Sequence, residues 1–168
     1  AANGTNGVNG ARYATCTGGT ATCTWTNQGQ ISGTGTAFAD DAHVLDIAGN
    51  PNSDEISFAS IGDGGDDLQT AYWSGSAWIT QGNLDITCQT PAAGKQFVST
   101  AWFTNGATTK RFVAYADSSG NTIAYYAASG STDFAATSST LTTSPAMNGA
   151  NRNWYDIQSD PFNQDRAM

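Results

Sequence analysis

Hydrophobic residues in the second half of the chain recur with the two-residue period of a β-strand, and short polar turns interrupt them. Three such runs follow one another at 97–103, 111–116 and 122–127. Asn105-Gly106 after the first run is a strong turn signal, because both central positions of a tight hairpin turn need a positive φ. In the second and third runs both alternating faces are apolar. The pattern therefore predicts an antiparallel meander between two packed layers.

The same pattern occurs more than once along the chain. Residues 25–31 (WTNQGQI) match residues 78–84 (WITQGNL), and residues 44–47 match residues 97–100, so both pairs share an offset of 53 residues. A further start, Trp-Tyr-Asp-Ile, lies at 154–157. Two separate segments with one offset indicate a module of about fifty residues repeated in tandem.

Four short strands in about fifty residues are typical of a propeller blade, and a β-sandwich is the alternative. No segment has a useful helical period, so the predicted class is all-β. The fourth strand is expected at 78–84 in the first copy and at 134–141 in the second. We expect a flexible arm over residues 1–12 and a β-repeat domain over 13–168. The domain divides into a partial repeat, two full repeats and a second partial repeat, at 13–36, 37–88, 89–145 and 146–168.

The partial repeats predict self-association. Residues 13–26 correspond to the outer strands of a repeat and residues 154–168 to the inner strands, so the sequence stops inside a strand. Two blades cannot close a ring of roughly four to eight, and an open repeat exposes unpaired backbone groups. We expect either a fragment of a longer array or head-to-tail completion by a neighbouring chain, which gives a ring or a filament.

Composition and charge narrow the class of partner and the compartment. Only 12% of residues are charged, and the formal net charge is −8, which repels phosphate backbones and anionic lipid. Nucleic-acid binding and membrane insertion are therefore not expected, and no apolar run approaches the length of a membrane helix. The chain opens with Ala1-Ala2, as a mature protein does after signal removal. The expected location is secreted or at the cell surface.

Three cysteines fit an oxidising compartment. Cys16 and Cys23 flank Gly18-Gly19, and a bridge across this short hairpin is the first expectation. A bridge between Cys23 and Cys88 is the alternative, and three buried thiols without a bridge is the third reading.

The residue types needed for catalysis are scarce. Glu55 is the only glutamate and His43 the only histidine. A carboxylate pair or a nucleophile with its base is therefore not evident, no catalytic residue is assigned, and a glycoside hydrolase remains a distant alternative. Asp63, Asp66 and Asp67 form a carboxylate-rich loop that could hold Ca²⁺, although Asp and Gly also suit a plain hairpin turn. No other cofactor is expected.

Aromatic residues supply the remaining functional signal. A ring exposed beside polar turns can stack on a sugar, and if the protein is a lectin the candidates are Trp73, Tyr72, Trp102 and Tyr125. The competing role for such rings is to fill the space between sheets. Trp25 and Trp78 share a register and are both expected in the core.

Three segments, AYWSGSAW at 71–78, KRFVAYADSSGNTIAYY at 110–126 and NWYDIQSDP at 153–161, carry a resemblance to known families. Over residues 22–168 the chain resembles bacterial surface, adhesin-like and pilus-associated proteins built from propeller-like repeats. It is also similar to the fucose-binding propeller lectins, whose short subunits can assemble into a ring. Those lectins place an Arg, a Glu and a Trp around each sugar, and a single glutamate cannot repeat that site.

Together these observations predict a non-enzymatic extracellular protein with a structural or adhesive role that assembles through incomplete terminal repeats. A carbohydrate-binding lectin module, with glycans as partners, is the alternative.

Overall fold

The structure is a computed structural model that describes residues 11–17, 22–62, 64–90, 95–105, 108–117, 123–129, 133–135, 137–141 and 156–160. These residues contain no helix, and hence none that could cross a membrane. They form the strands β1 (Arg12–Thr17), β2 (Thr24–Gln30), β3 (Thr34–Thr36), β4 (Ala42–Gly49), β5 (Ile56–Gly62), β6 (Leu68–Trp73), β7 (Trp78–Asp85), β8 (Val98–Asn105), β9 (Thr108–Ala116), β10 (Ile123–Ser129) and β11 (Ser139–Leu141). The predicted all-β class is confirmed.

The strands form three sheets. In the first sheet β4, β5, β6 and β7 follow one another as an antiparallel meander, and β3 pairs in parallel with β7 at the far edge. The second sheet is the antiparallel meander β8, β9, β10 and β11, and the third is the hairpin of β1 and β2. None of the sheets closes on itself. The meander predicted from the hydrophobic pattern is therefore confirmed as β8 to β10.

An apolar layer fills the space between the first and second sheets. Ile61 and Leu68 of the first sheet pack with Val98, Val113 and Tyr115 of the second, and none of the five has exposed surface. Each buried aliphatic side chain contributes about 1.5–3 kcal/mol. Both faces of β9 are buried towards its end, as the apolar residues on both of its faces predict.

Hydrogen bonds fix how the first sheet sits on the second. The hydroxyl oxygens of Ser57 and Thr100 lie 2.7 Å apart inside the interface. The Gln81 side chain clasps the backbone of Phe134, because its Nε2 donates to the carbonyl at 2.9 Å and its Oε1 accepts from the N–H at 3.0 Å. Apolar packing has no direction of its own, so these bonds select one arrangement.

The opposite face of the first sheet is covered by residues that precede it in the chain. Phe58 and Trp78 on this face are buried, in one cluster with Ile31 and Phe38. The Phe38 and Phe58 rings are 5.8 Å apart, and the Tyr13 ring meets Trp78 edge to face at 5.5 Å. This cover lies over β5 to β7 and over Ala42 at the start of β4.

The structure differs from two boundaries predicted from the sequence. Ala11, assigned to the arm, is buried and accepts a hydrogen bond from the N–H of Ile31 at 2.7 Å, and β1 already begins at Arg12. The last strand of the second sheet begins at Ser139 and not at residue 134. Phe134 is instead held outside the strand by Gln81. The remainder of the arm, residues 1–10, lies outside the described residues.

The two tryptophans that share a register differ in burial. Trp78 is 5% exposed, as predicted, whereas Trp25 is 69% exposed, so its predicted core position is wrong. The reason is the neighbourhood of the strand. Trp78 lies in a sheet with a covered face, whereas Trp25 lies in a hairpin whose only described pairing is between β1 and β2.

The predicted disulfide between Cys16 and Cys23 is confirmed, and it joins β1 to the residue before β2. An isolated two-stranded hairpin is marginally stable in water, so this covalent link holds the hairpin closed. Cys88 is a buried free thiol, and burial, followed by the charge of Asp85, raises its pKa well above the usual range.

The Ser57–Thr100 pair gives a stability prediction. Thr100→Val leaves the Ser57 hydroxyl buried without this partner and is expected to lower the free energy of unfolding by roughly 1–3 kcal/mol. Ser57→Ala should cost about 1 kcal/mol, because Thr100 still donates to the Phe112 carbonyl at 2.9 Å. The double variant should lose less than the sum of the single variants, as measured by urea denaturation. Additive losses would contradict a direct bond.

Candidate interaction surface

Along the edge of the two packed sheets that β4 and β8 form, one type of hydrogen bond joins neighbouring segments, and we call each such bond a rung. A rung joins a side-chain oxygen of one strand to a backbone N–H of the next. Asp46 on β4 forms the first, because its Oδ2 accepts the N–H of Thr100 on β8 at 2.9 Å and the hydroxyl of Ser99 at 2.7 Å. A carboxylate at this position can accept both of these hydrogen bonds at once.

A second rung continues from β8 to residues 156–160. Ser99 Oγ accepts the N–H of Ile157 at 2.9 Å, and Ile157 packs against the main core. Ser99 thus donates to Asp46 and accepts from Ile157. A further hydrogen bond joins β8 to β4, since Trp102 Nε1 donates to the carbonyl of Ala48 at 3.0 Å. Three consecutive segments of backbone are joined through these two rungs.

A groove of about 270 Å³ runs between these segments. Its walls are largely backbone and small or polar side chains, contributed by β4, β8 and the last described segment: Asp46, Ile47, Ala48, Gly49, Thr100, Ala101, Trp102, Asp156, Ile157, Gln158 and Ser159. Such a surface offers hydrogen bonds to a strand or a small polar ligand.

Two hydrophobic side chains on β4, Leu45 and Ile47, form an exposed apolar strip. Leu45 is 37% exposed and Ile47 is 56% exposed. They lie on the face of the first sheet that points away from the second sheet, next to the covered Phe58, which pairs with Ile47. The N–H of Ile47 donates to the Oδ1 of Asp46, its own neighbour, at 2.9 Å. The cover over this face therefore reaches Ala42 at the start of β4 and leaves Leu45 and Ile47, farther along the same strand, exposed.

The structure separates the four aromatic residues predicted to bind a sugar. Tyr72 and Trp102 are buried, with ring centroids 6.0 Å apart. Trp73 is half-buried beside Tyr13, with centroids 6.5 Å apart. Tyr125 is half-buried and stacks on a phenylalanine of β9 at 5.0 Å. The four rings therefore pack within the protein and do not form one open platform.

A buried cation lies at the centre of the Arg111 cluster, which we define as Arg111, Tyr72, Trp102, Phe134 and Glu55. The guanidinium stacks on Tyr72 at 4.8 Å and on Phe134 at 4.5 Å, a favourable cation–π arrangement. Burial lowers the pKa of Arg111 to about 10. Sequence reasoning did not identify this cluster, since its members are up to 79 positions apart, from Glu55 to Phe134.

Glu55 is fixed at the edge of this cluster by three donors. It accepts the hydroxyl of Tyr72, the amide of Asn50 at 2.6 Å and the hydroxyl of Ser53 at 2.8 Å. The bond from Tyr72 is the main cause that lowers the pKa of Glu55. Burial raises the pKa of Tyr72 to about 12. The arrangement holds Glu55 as a charged acceptor that supports the Arg111 cluster.

The predicted calcium loop lies beside a different carboxylate, Asp40. A methyl group placed on Gly65 would lie 2.9 Å from both Asp40 Oδ2 and Asp67 Oδ2, so the two carboxyl groups converge there. Asp66 Oδ2 instead accepts the hydroxyl of Thr90 at 2.8 Å. Asp63 lies outside the described residues. Among the residues that are described, no group of three or more His, Cys, Asp or Glu side chains is placed to hold a metal ion.

No protein-family model, curated protein or solved structure matches this chain.

The two rungs were missed in the sequence, although a signal for them was present. Asp46 and Asp156 occupy the same place in the segments Val44-Leu45-Asp46-Ile47 and Trp154-Tyr155-Asp156-Ile157, and Ser99 corresponds to them in the copy between. A polar residue that recurs at one position of an apolar strand indicates a structural hydrogen bond.

The convergence of Asp40 and Asp67 gives a pH-dependent prediction. Burial, with the charge of Asp40, raises the pKa of Asp67. The folded state thus holds this proton more tightly than the unfolded chain, so the group favours folding at low pH and this contribution is lost as the pH rises through the raised pKa. Asp67→Asn should increase the free energy of unfolding by about 1 kcal/mol at pH 7, and the gain should vanish near pH 3.

Urea denaturation at both pH values measures the effect. The exposed Asp54→Asn is the matched control and should change stability by less than about 0.5 kcal/mol at either pH. An Asp67→Asn variant that is less stable than the parent at pH 7 would contradict the destabilisation of the charged Asp67 by burial and by Asp40.

Proposed function

We propose that this protein is a non-enzymatic extracellular structural or adhesive component, built from tandem blade-like β-repeats, that associates head to tail with copies of itself. The observation that carries the proposal is the pairing register shared by the first and second sheets.

The two sheets pair in the same register when one is shifted along the chain onto the other. In the first sheet Ile61 pairs with Leu68, and in the second Ala116 pairs with Ile123. Both members shift by 55 residues, from 61 to 116 and from 68 to 123. The same shift takes the Ile56–Trp73 pair onto the Arg111–Ala128 pair at the other end of these strands. Identical registers over whole strands support duplication of one module.

The first strands of the two sheets agree as well. Leu45 pairs with Ser60, and Val98 pairs with Tyr115. The shift is 53 residues on the first strand, from 45 to 98, and 55 on the second, from 60 to 115. The difference of two residues falls in the turn between the strands, where insertions are tolerated.

The β1–β2 hairpin supports the head-to-tail part of the proposal. Cys16 pairs with Trp25 as Trp73 pairs with Trp78, and Thr15 pairs with Thr26 as Tyr72 pairs with Ile79. This hairpin therefore has the register of the outer two strands, β6 and β7. Whereas β6 has β5 on its other side, the described pairing of β1 is with β2 alone.

An edge strand of this kind offers unpaired N–H and C=O groups to another chain. Strand addition from a neighbouring copy would complete the hairpin as a four-stranded repeat, and a further part of that copy packed on the face of the hairpin would cover Trp25 as Tyr13, Ile31 and Phe38 cover Trp78. Such an interface is heterologous, so it closes into a ring or extends as a filament according to the rotation between copies.

The extracellular part of the proposal draws on the disulfide between Cys16 and Cys23, which is typical of proteins in oxidising compartments. The non-enzymatic part draws on the surroundings of Glu55, the only glutamate of the chain. Its hydrogen bonds hold it in the charged form as part of a packed cluster. A general acid needs the opposite shift, a raised pKa.

Carbohydrate binding is the second candidate. The Arg111 cluster brings together one Arg, one Glu and one Trp, which are the residue types that the fucose-binding propeller lectins place around a sugar. Arg111 is 3% exposed and Trp102 is 1% exposed, so a sugar could reach them only after the two sheets separate. Binding on a glycan array with a change in tryptophan emission would favour this candidate.

Head-to-tail association predicts a mass that depends on protein concentration, measured by size-exclusion chromatography with light scattering. Trp25→Ser should weaken association by roughly 30-fold, because a buried tryptophan at an interface contributes about 2 kcal/mol. Ile86→Ser is the matched control, since Ile86 is 65% exposed and lies outside the hairpin. A monomer at every concentration would contradict the proposal.

A further inference from the structure

We propose that the apolar strip of Leu45 and Ile47 binds residues 156–159 of a second copy, and that the Asp156 carboxylate of that copy accepts the N–H of Ile47. This inference rests on the head-to-tail association proposed above, and it adds the interface residues and the bond that would set the register between copies.

The two rungs within one chain obey one rule. Asp46 accepts the N–H of Thr100, and Ser99 accepts the N–H of Ile157. Asp46, Ser99 and Asp156 correspond to one another, and the donor in each rung is the residue after the corresponding position in the following segment. Applied once more, the rule makes Asp156 the acceptor of a third rung, whose donor is not among the described residues of its own chain.

At the other end of the series, the described residues that precede β4 place no rung acceptor on the N–H of Ile47. Ile47 corresponds to Thr100 and Ile157, the two rung donors, yet its N–H is bonded to Oδ1 of the adjacent Asp46. Asp46 uses its other oxygen, Oδ2, for the rung to β8. If the N–H of Ile47 binds Asp156 of a second copy in place of Oδ1 of Asp46, the rung between Asp46 Oδ2 and β8 remains intact. Asp156 is exposed, and the described hydrogen bond to its side chain comes from the exposed Gln158 at 3.2 Å.

The exposure of Leu45 and Ile47 also favours residues 156–159 of a second copy as the partner. Leu45 and Ile47 correspond to Val98 and Thr100 of β8, which are 0% and 2% exposed because they pack against β4. On β4 itself the equivalent positions are exposed. The rest of that sheet face is covered over β5 to β7, for instance Phe58. The uncovered part is the stretch of β4 that holds Leu45 and Ile47, and the segment that covers the equivalent place in the second sheet is β4, the inner strand of the preceding repeat.

The neutral oxygen of Ser99 shows that a rung does not require a charge. Asp156→Ser, which copies Ser99, should therefore retain association between copies. Asp156→Ala removes the acceptor and should weaken association by about tenfold, the loss of one hydrogen bond to a charged group at an interface. Ile47→Ser should weaken it by a similar or greater factor, and Ile86→Ser should have no effect. Equal behaviour of the Ser and Ala variants at 156 would overturn the proposed bond.

Cross-linking between two variants tests the contact directly. Gly49→Cys and Gln158→Cys lie beside the proposed bond on opposite copies, and a side chain at Gly49 meets no atom within 4 Å. The native thiol Cys88 is buried and the other two cysteines are bonded. A short bismaleimide added to the mixed variants should give a dimer band containing one copy of each. The mixture of Ile86→Cys with Gln158→Cys is the control and should give none.

The outcomes separate this inference from the proposed function. Association that depends on Trp25, without a cross-link between positions 49 and 158, would overturn the contact and leave head-to-tail association standing. A protein that remains a monomer and gives no cross-link would overturn both. A cross-link as strong in the Ile86→Cys control would show non-specific collision and would also overturn the contact. Unchanged thermal unfolding of each variant confirms that the fold is retained.

Discussion

The packing of the first sheet on the second depends on the contact between β4 and β8, and within that contact on the Asp46 carboxylate. The apolar layer of Ile61, Leu68 and Val113 supplies most of the driving force, but apolar surfaces slide past one another at little cost. Asp46 binds two donors of β8, and Gln81 clasps Phe134 at the outer end of the same interface. Directional bonds at both ends leave one register between the sheets, and the positions of the groove and of the apolar strip follow from it.

The strands of this fold were accessible from the sequence because their pattern is local. The meander of β8 to β10 needs only alternating apolar faces and turn residues, and both lie within a few positions of each strand. Burial was less accessible. Trp25 and Trp78 have similar neighbours in sequence, yet one is exposed and the other buried, since burial depends on which sheet lies above the ring. The start of the last strand, predicted at residue 134 and found at Ser139, was misplaced for a similar reason, because a side chain 53 positions away, Gln81, binds the backbone of Phe134.

In the candidate site, too, local features could be predicted from the sequence and long-range contacts could not. Asp46 and Asp156 could be found from a recurring polar position, since the signal lies inside each copy. The convergence of Asp40 and Asp67 could not be predicted, because no residue near either one in the sequence indicates that the two carboxyl groups meet. The Arg111 cluster gives a related lesson. The residue types of a sugar site are present and adjacent, but the rings of Tyr72 and Phe134 enclose the guanidinium. In this place the same chemistry stabilises an interface between sheets.

The bridge between Cys16 and Cys23 has a consequence for when copies can meet. If the hairpin is the part of the molecule that binds a neighbouring copy, its two strands have to be ordered before binding. A two-stranded hairpin alone is only marginally stable. Under the proposed association, formation of the bridge would precede binding, because the reduced hairpin lacks the covalent link that holds β1 and β2 together. The entropic cost of ordering the hairpin would then be met when the bridge forms, and a neighbouring copy would bind a hairpin that is already ordered.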